Sequence, residues 1–180
     1  MNDIQLSKHL TSLSALTLSY SNKLDDLRLT EHFKLSELTK SATASKYGIK
    51  NEPNEEQIAN LRALCEEVLE PLRQWYGKPI VIGSGFRCPQ LNSHPAVRGA
   101  TNSQHMKGEA ADLHIPTIKA PNGSTIQDMA TARSWIEWLL DNHFDQLILE
   151  HDKSGHYWIH ISFKRNGKNR QTYLPNLLKK

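Results

Sequence analysis

Apolar residues recur at three- and four-residue spacing through Ile58, Leu61, Leu64, Cys65, Val68, Leu69 and Leu72. That interval lines one face of a helix and gives it a side to bury. Asn54 stands where an N-cap is needed, Glu55, Glu56 and Gln57 fill the first turn, and Gly77-Lys78-Pro79 ends the run. Residues 125–142 repeat the helical pattern with Met129, Trp135, Ile136, Trp138, Leu139 and Leu140 as apolar content. Between these two helices, residues 80–84 read as a short buried strand with Gly85 just beyond it, and residues 108–115 read as a second strand. Residues 146–150 and 157–163 predict two more strands, joined through the polar hairpin loop 151–156. Residues 88–103 and 116–124 carry the Pro, Gly and Ser of connections. Upstream, residues 30–47 predict a helix that ends near Thr39-Lys40-Ser41-Ala42-Thr43-Ala44, followed by Gly48 and Pro53. Before residue 28 the pattern is too weak to choose between a helix, a strand and a loose segment. The order helix, strand, strand, helix, strand, strand predicts an α+β fold with a mostly antiparallel central sheet flanked by helices.

Composition narrows the class without changing that picture. At 180 residues, with 38% hydrophobic and 23% charged, the chain has enough apolar content for one domain with its own core. The net charge of +3 is spread along the sequence with no dense basic block, so no nucleic-acid partner is expected. The terminal Lys179-Lys180 reads as a solvated tail. No stretch approaches a membrane span, so no membrane insertion is expected. Residues 1–20 lack a basic region, an apolar run and a cleavage site, so the chain is expected to be made in the cytoplasm without a signal peptide. Its two cysteines, Cys65 and Cys88, lack metal-ligand spacing. Cys65 belongs to the apolar face of the first helix, and Cys88 follows Arg87.

The densest run of chemically active side chains is Ser103-Gln104-His105-Met106-Lys107-Gly108-Glu109-Ala110-Ala111-Asp112. A catalytic zinc site takes three protein ligands of His, Asp, Glu or Cys type and leaves one position open. His105 and Asp112 are seven residues apart, which suits a turn followed by a strand, with Gly108 allowing the bend. On their own they also fit a surface histidine and a hydrogen-bonded aspartate. His160 offers a third ligand. In residues 157–163, Trp158, His160 and Ser162 share one strand face, while Ile159, Ile161 and Phe163 form the core face. A structural histidine would occupy the same place. Glu150 ends an apolar strand, where an acid is costly to bury unless it serves a charge or a metal. It is a candidate general base, or simply the residue that opens the loop. Arg87, just past the 80–84 strand, suits a carboxylate or an oxyanion, although a surface arginine would look the same. His156 is a candidate for the rim of the site and His114, two residues after Asp112, for a supporting partner.

With those residues assembled, the chain resembles the zinc D-alanyl-D-alanine carboxypeptidases and phage L-alanyl-D-glutamate endopeptidases. These share a fold with D-Ala-D-Ala dipeptidases and with the signalling domain of hedgehog proteins. The resemblance rests on the 103–112 run, on Trp158-Ile159-His160, and on Ser84-Gly85-Phe86-Arg87 and Leu91-Asn92, and covers about residues 28 to 175. It implies a hedgehog/DD-peptidase-like fold and a zinc peptidase domain over 28–180, with 1–27 as an N-terminal extension. It further implies one Zn²⁺ held by His105, Asp112 and His160, catalytic roles for Arg87 and Glu150, and Ser103, Gln104, Trp158, His156 and His114 at the substrate or behind the ligands. Some relatives carry an acid three residues before the last histidine, where Tyr157 stands here. Others carry a Glu at the end of the preceding strand, as Glu150 does. Some have a second histidine at the place of Trp158. The implied substrate is a peptidoglycan stem peptide. A monomer is expected, and the lack of a signal peptide fits a phage-type release to the cell wall, although other export routes exist. The alternative is a zinc-containing binding module of the same fold without hydrolysis. A structural or wall-anchoring protein is a third reading, with no repeat or separate binding segment to support it.

Overall fold

A computed structural model describes residues 27–178. The extension 1–27 therefore lies outside the described residues except for Leu27. Two short helices open the described chain, α1 (Leu35–Thr39) and α2 (Ala42–Tyr47). The single helix end expected around 39–44 is instead a break between them, because the Ser41 hydroxyl accepts from Ala44 N and starts α2. The long amphipathic run forms α3 (Glu55–Leu64), one wide turn over Cys65–Leu69, and α4 (Glu70–Tyr76). Asn54 and Gln57 cap α3 reciprocally, each side chain accepting from the other's backbone N–H. The wide turn has a local cause. Pro71 has no N–H and would clash with the carbonyl one turn back, so the helix loosens there and Glu70 N donates to Cys65 O, five residues earlier. Gly77 closes α4 in the left-handed conformation.

The remaining elements are β1 (Ile82–Ser84), α5 (Pro89–Ser93), β2 (Ala110–His114), β3 (Thr117–Lys119), β4 (Thr125–Gln127), α6 (Met129–Leu140), β5 (Gln146–His151), β6 (Tyr157–Ser162) and β7 (Thr172–Leu178). Three differ from the pattern-based expectation. The 88–103 loop contains α5, started by Pro89 at its first position. The 116–127 stretch forms a small hairpin of β3 and β4, so α6 starts at Met129, capped by Asp128, which accepts from Thr131. And β7 joins the sheet, although its sequence drew no expectation.

The central sheet runs β1-β2-β6-β5-β7. All its pairs are antiparallel except β5 with β7, which is parallel. One face packs on the helices. Leu113, Leu147, Ile159 and Ile161 are fully buried against Leu61, Leu64, Leu69, Leu72, Trp135 and Leu139. Each such leucine contributes roughly 1.5–3 kcal/mol relative to exposure. Residues opposite one another in register share a face. The other face therefore aligns Ser84, Asp112, His160 and Ile148 in one row, with His114, Trp158 and Glu150 in the next. That second face bears the chemistry. No helix among the described residues is long and apolar enough to cross a membrane.

Candidate metal centre

Asp112 on β2 and His160 on β6 are direct cross-strand partners, which sets their side chains side by side. His105 reaches them from a single tight turn, Gln104–Lys107, that leads into β2. This turn depends on Gly108, whose φ of 72° is left-handed and where a Cβ would lie 2.4 Å from Gln57 O. Helix α3 holds the turn from behind: Gln57 Nε2 donates to Met106 O and Asn60 Nδ2 to Lys107 O, both at 2.9 Å.

The result is a buried triangle. His105 Nε2 lies 3.2 Å from Asp112 Oδ1 and 3.2 Å from His160 Nδ1, and His160 Nδ1 lies 2.9 Å from Asp112 Oδ1. His105 Nδ1 is 2.6 Å from Gly85 O. A carbonyl only accepts, so the ring proton sits on Nδ1 and Nε2 presents its lone pair to the triangle. Burial lowers the His105 pKa against the pull of Asp112 and so favours this neutral ring. Burial alone would raise the Asp112 carboxyl, but the His105 and His160 rings outweigh it and hold the group well below its usual range. A neutral imidazole nitrogen and a carboxylate oxygen both turn lone pairs inward, an arrangement that calls for a cation. Ligand atoms ~2.0–2.1 Å from a tetrahedral ion are roughly 3.3 Å apart, close to the separations found. The donor set therefore fits a metal ion.

Arg87 forms part of the floor of the cleft in front of the triangle. Its Nη1 is 3.9 Å from Asp112 Oδ2, and its buried Nε has no hydrogen-bond partner among the described residues. Burial pulls its pKa down while Asp112 and Glu150 push it back up, so Glu150 acts electrostatically on the same group. Glu150 is buried, on the face that carries His160, and Trp158 Nε1 donates to its Oε2 at 2.7 Å. The cleft has a volume of about 520 Å³, and residues 40–43, Arg87, Asp112 and Trp158 are part of its lining. A smaller apolar recess of about 210 Å³ adjoins it, with Gly83, His114, His156 and Trp158 in its lining.

The structure thus brings together His105, Asp112, His160, Arg87, Glu150 and Trp158, with His114 and His156 at the recess. Ser103 is buried at the start of the His105 turn. Gln104 differs: its amide is engaged by Glu109 and Arg170, facing β7's approach and not the cleft. Asn51 went unnoticed in the sequence. Its Nδ2 donates to Thr39 O and Phe86 O, and its Oδ1 accepts from Cys88 N, which clamps the backbone on both sides of Arg87. Only its place between Lys50 and Pro53 hinted at a turn. A second group with ligand-type atoms, Glu31, His32 and Glu70, lies elsewhere. There Glu70 is already satisfied by Thr30, His32 and Gln74, which makes it a latch for the segment before α1.

The profile of a protein family described as Peptidase M15 matches residues 31–157. The match takes in Arg87, His105, Asp112 and Glu150 and stops three residues before His160. No curated relative matches the chain.

Proposed function

The chain belongs to the peptidase M15 family, and from that premise we propose that it is a zinc-dependent hydrolase of amide bonds in peptidoglycan stem peptides. The observation that carries the reading is the triangle of His105 Nε2, Asp112 Oδ1 and His160 Nδ1, three ligand-type atoms brought together beside a cleft that Asp112 itself lines. Two imidazoles and one carboxylate are a zinc ligand set that leaves the fourth position to the reaction. Zinc held there supplies a Lewis acid that makes water nucleophilic near neutral pH and polarises the scissile carbonyl.

This chain's residues do the rest. Glu150 takes the proton from the attacking water and delivers it to the leaving amine nitrogen. The Trp158 indole fixes that carboxylate by donating to Oε2. Arg87 turns a fixed positive charge toward the oxygen on which negative charge develops, and its unpaired Nε supports a role toward a ligand. Asn51 holds Arg87 in place through the peptides on either side of it.

Elemental analysis of purified protein tests the centre. About one zinc per chain is expected in the parent and none in H105A. The parent alone should then release products from peptidoglycan fragments, followed by mass spectrometry. A parent that holds no zinc after zinc is supplied and the excess removed would overturn the reading.

A further inference from the structure

Part of the cleft's lining is built by the junction of α1 and α2. Lys40, Ser41, Ala42 and Thr43 line it together with Arg87, Asp112 and Trp158. Phe86 N donates to Leu38 O, and a Cβ at Gly85 would lie 2.2 Å from the same oxygen, so this junction is pressed against the segment that carries Arg87. Lys40 and Arg87 are the cations lining the cleft. The carboxylates near them are engaged elsewhere, Asp112 with His105 and His160 and Glu150 with the Trp158 indole. No carboxylate among the described residues pairs with Lys40, whereas Lys50 and Lys164 each have one. The Ser41 hydroxyl caps α2, while no hydrogen-bond partner is found among the described residues for the Thr43 hydroxyl.

We infer that Lys40, helped by Thr43, is a specificity-determining residue that receives a substrate carboxylate close to the scissile bond. The inference rests on the hydrolase reading above and adds which peptides that cleft prefers. An exposed ammonium beside an aqueous cleft gains little from a neutral peptide. With a substrate carboxylate it makes a charge-assisted hydrogen bond. A stem peptide offers that chemistry from two sources, the C-terminal carboxylate and the α-carboxylate of a γ-linked glutamate. Both would place an anion beside an amide bond.

Four synthetic pentapeptides L-Ala-γ-D-Glu-L-Lys-D-Ala-D-Ala test it, with the C-terminus free or amidated and the glutamate α-carboxylate free or amidated. Each is mixed with zinc-loaded parent, K40M and K40R. Binding is read from tryptophan fluorescence immediately after mixing, and cleavage by mass spectrometry. In the parent, one of the two carboxylates should improve binding by about tenfold over its amide, and its identity names the source. K40M should erase that gap, largely through KM, and K40R should keep it. A gap of the same size in K40M, or no gap in the parent, overturns the inference. A gap that K40M erases on peptides that are never cut would leave the subsite standing and remove the hydrolase reading instead.

Discussion

At the scale of single residues, burial and register separate the three residues proposed to hold the metal from the one proposed to move the proton. His105, Asp112 and His160 are buried together with their ligand-type atoms within reach of one cation. Glu150 sits in the next cross-strand row, opposite Trp158 and outside the group of three, as the proposed general base should. This separation makes a sharp prediction. E150Q preserves shape and keeps an oxygen for the Trp158 indole, but it cannot accept a proton at neutral pH. It should retain zinc like the parent and lose at least about a hundredfold in kcat. Loss of zinc in E150Q would make Glu150 a part of the metal shell, and unchanged kcat would remove it from proton transfer. The pair of measurements also separates a peptidase from a zinc-bearing module that only binds, for which this substitution would change nothing catalytic.

At the scale of elements, the centre is as good as the turn that delivers His105. Gly108 has a left-handed φ and no room for a side chain against Gln57 O. G108A should therefore push the turn off α3, break the bonds from Gln57 and Asn60, and cost about 1–3 kcal/mol. Weaker zinc retention and a lowered Tm should appear together. A variant with parental Tm and zinc content would show that the turn is held by something other than this contact. The same element explains what the sequence let one read. The cluster of His105, Asp112 and His160 was legible because alternation in residues 157–163 put His160 off the core face, and because the 103–112 run kept a glycine between His105 and the strand. The α3 stripe and its Asn54 cap were legible for the same reason, local periodicity. What was not legible depends on contacts distant in sequence. Asn51 grips the Arg87 segment from 35 residues away, and Gln104 turns toward Arg170, 66 residues on. The β3–β4 hairpin was missed, β3 inside the 116–124 connection and β4 at the start of the 125–142 helical pattern, because three-residue strands carry too few positions to show a period. β7 was missed because a parallel edge strand is specified by its partner, β5, more than by its own alternation.

At the scale of the whole molecule, two buried carboxylates tie down the segments that flank the sheet-and-helix body. Glu70, on α4, accepts from the Thr30 hydroxyl and from the backbone N and ring Nδ1 of His32, anchoring the chain before α1. Asp145, fully buried before β5, accepts from the backbone and guanidinium of Arg170 and from Lys164, seating the approach to β7. Burial pushes both carboxyls up, but these hydrogen bonds outweigh it and bring each down to about 2. A carboxyl whose pKa is depressed in the folded state stabilises fully above its unfolded value near 4. It loses that contribution as pH falls through the folded value. The window is therefore about pH 4 to 2, and each group contributes on the order of 2–3 kcal/mol across it. D145N removes the ionisation while keeping the shape. Its unfolding free energy should lie below the parent's at pH 7, and the two curves should converge as pH falls to about 2. Comparing the pair at each pH cancels any loss of metal in acid, which both proteins share. Denaturant unfolding at a series of pH values reads the difference. Curves that stay parallel down to pH 2 would mean that Arg170 and Lys164 hold Asp145 no more tightly than water does, and that β7 is seated by its backbone pairing with β5 alone.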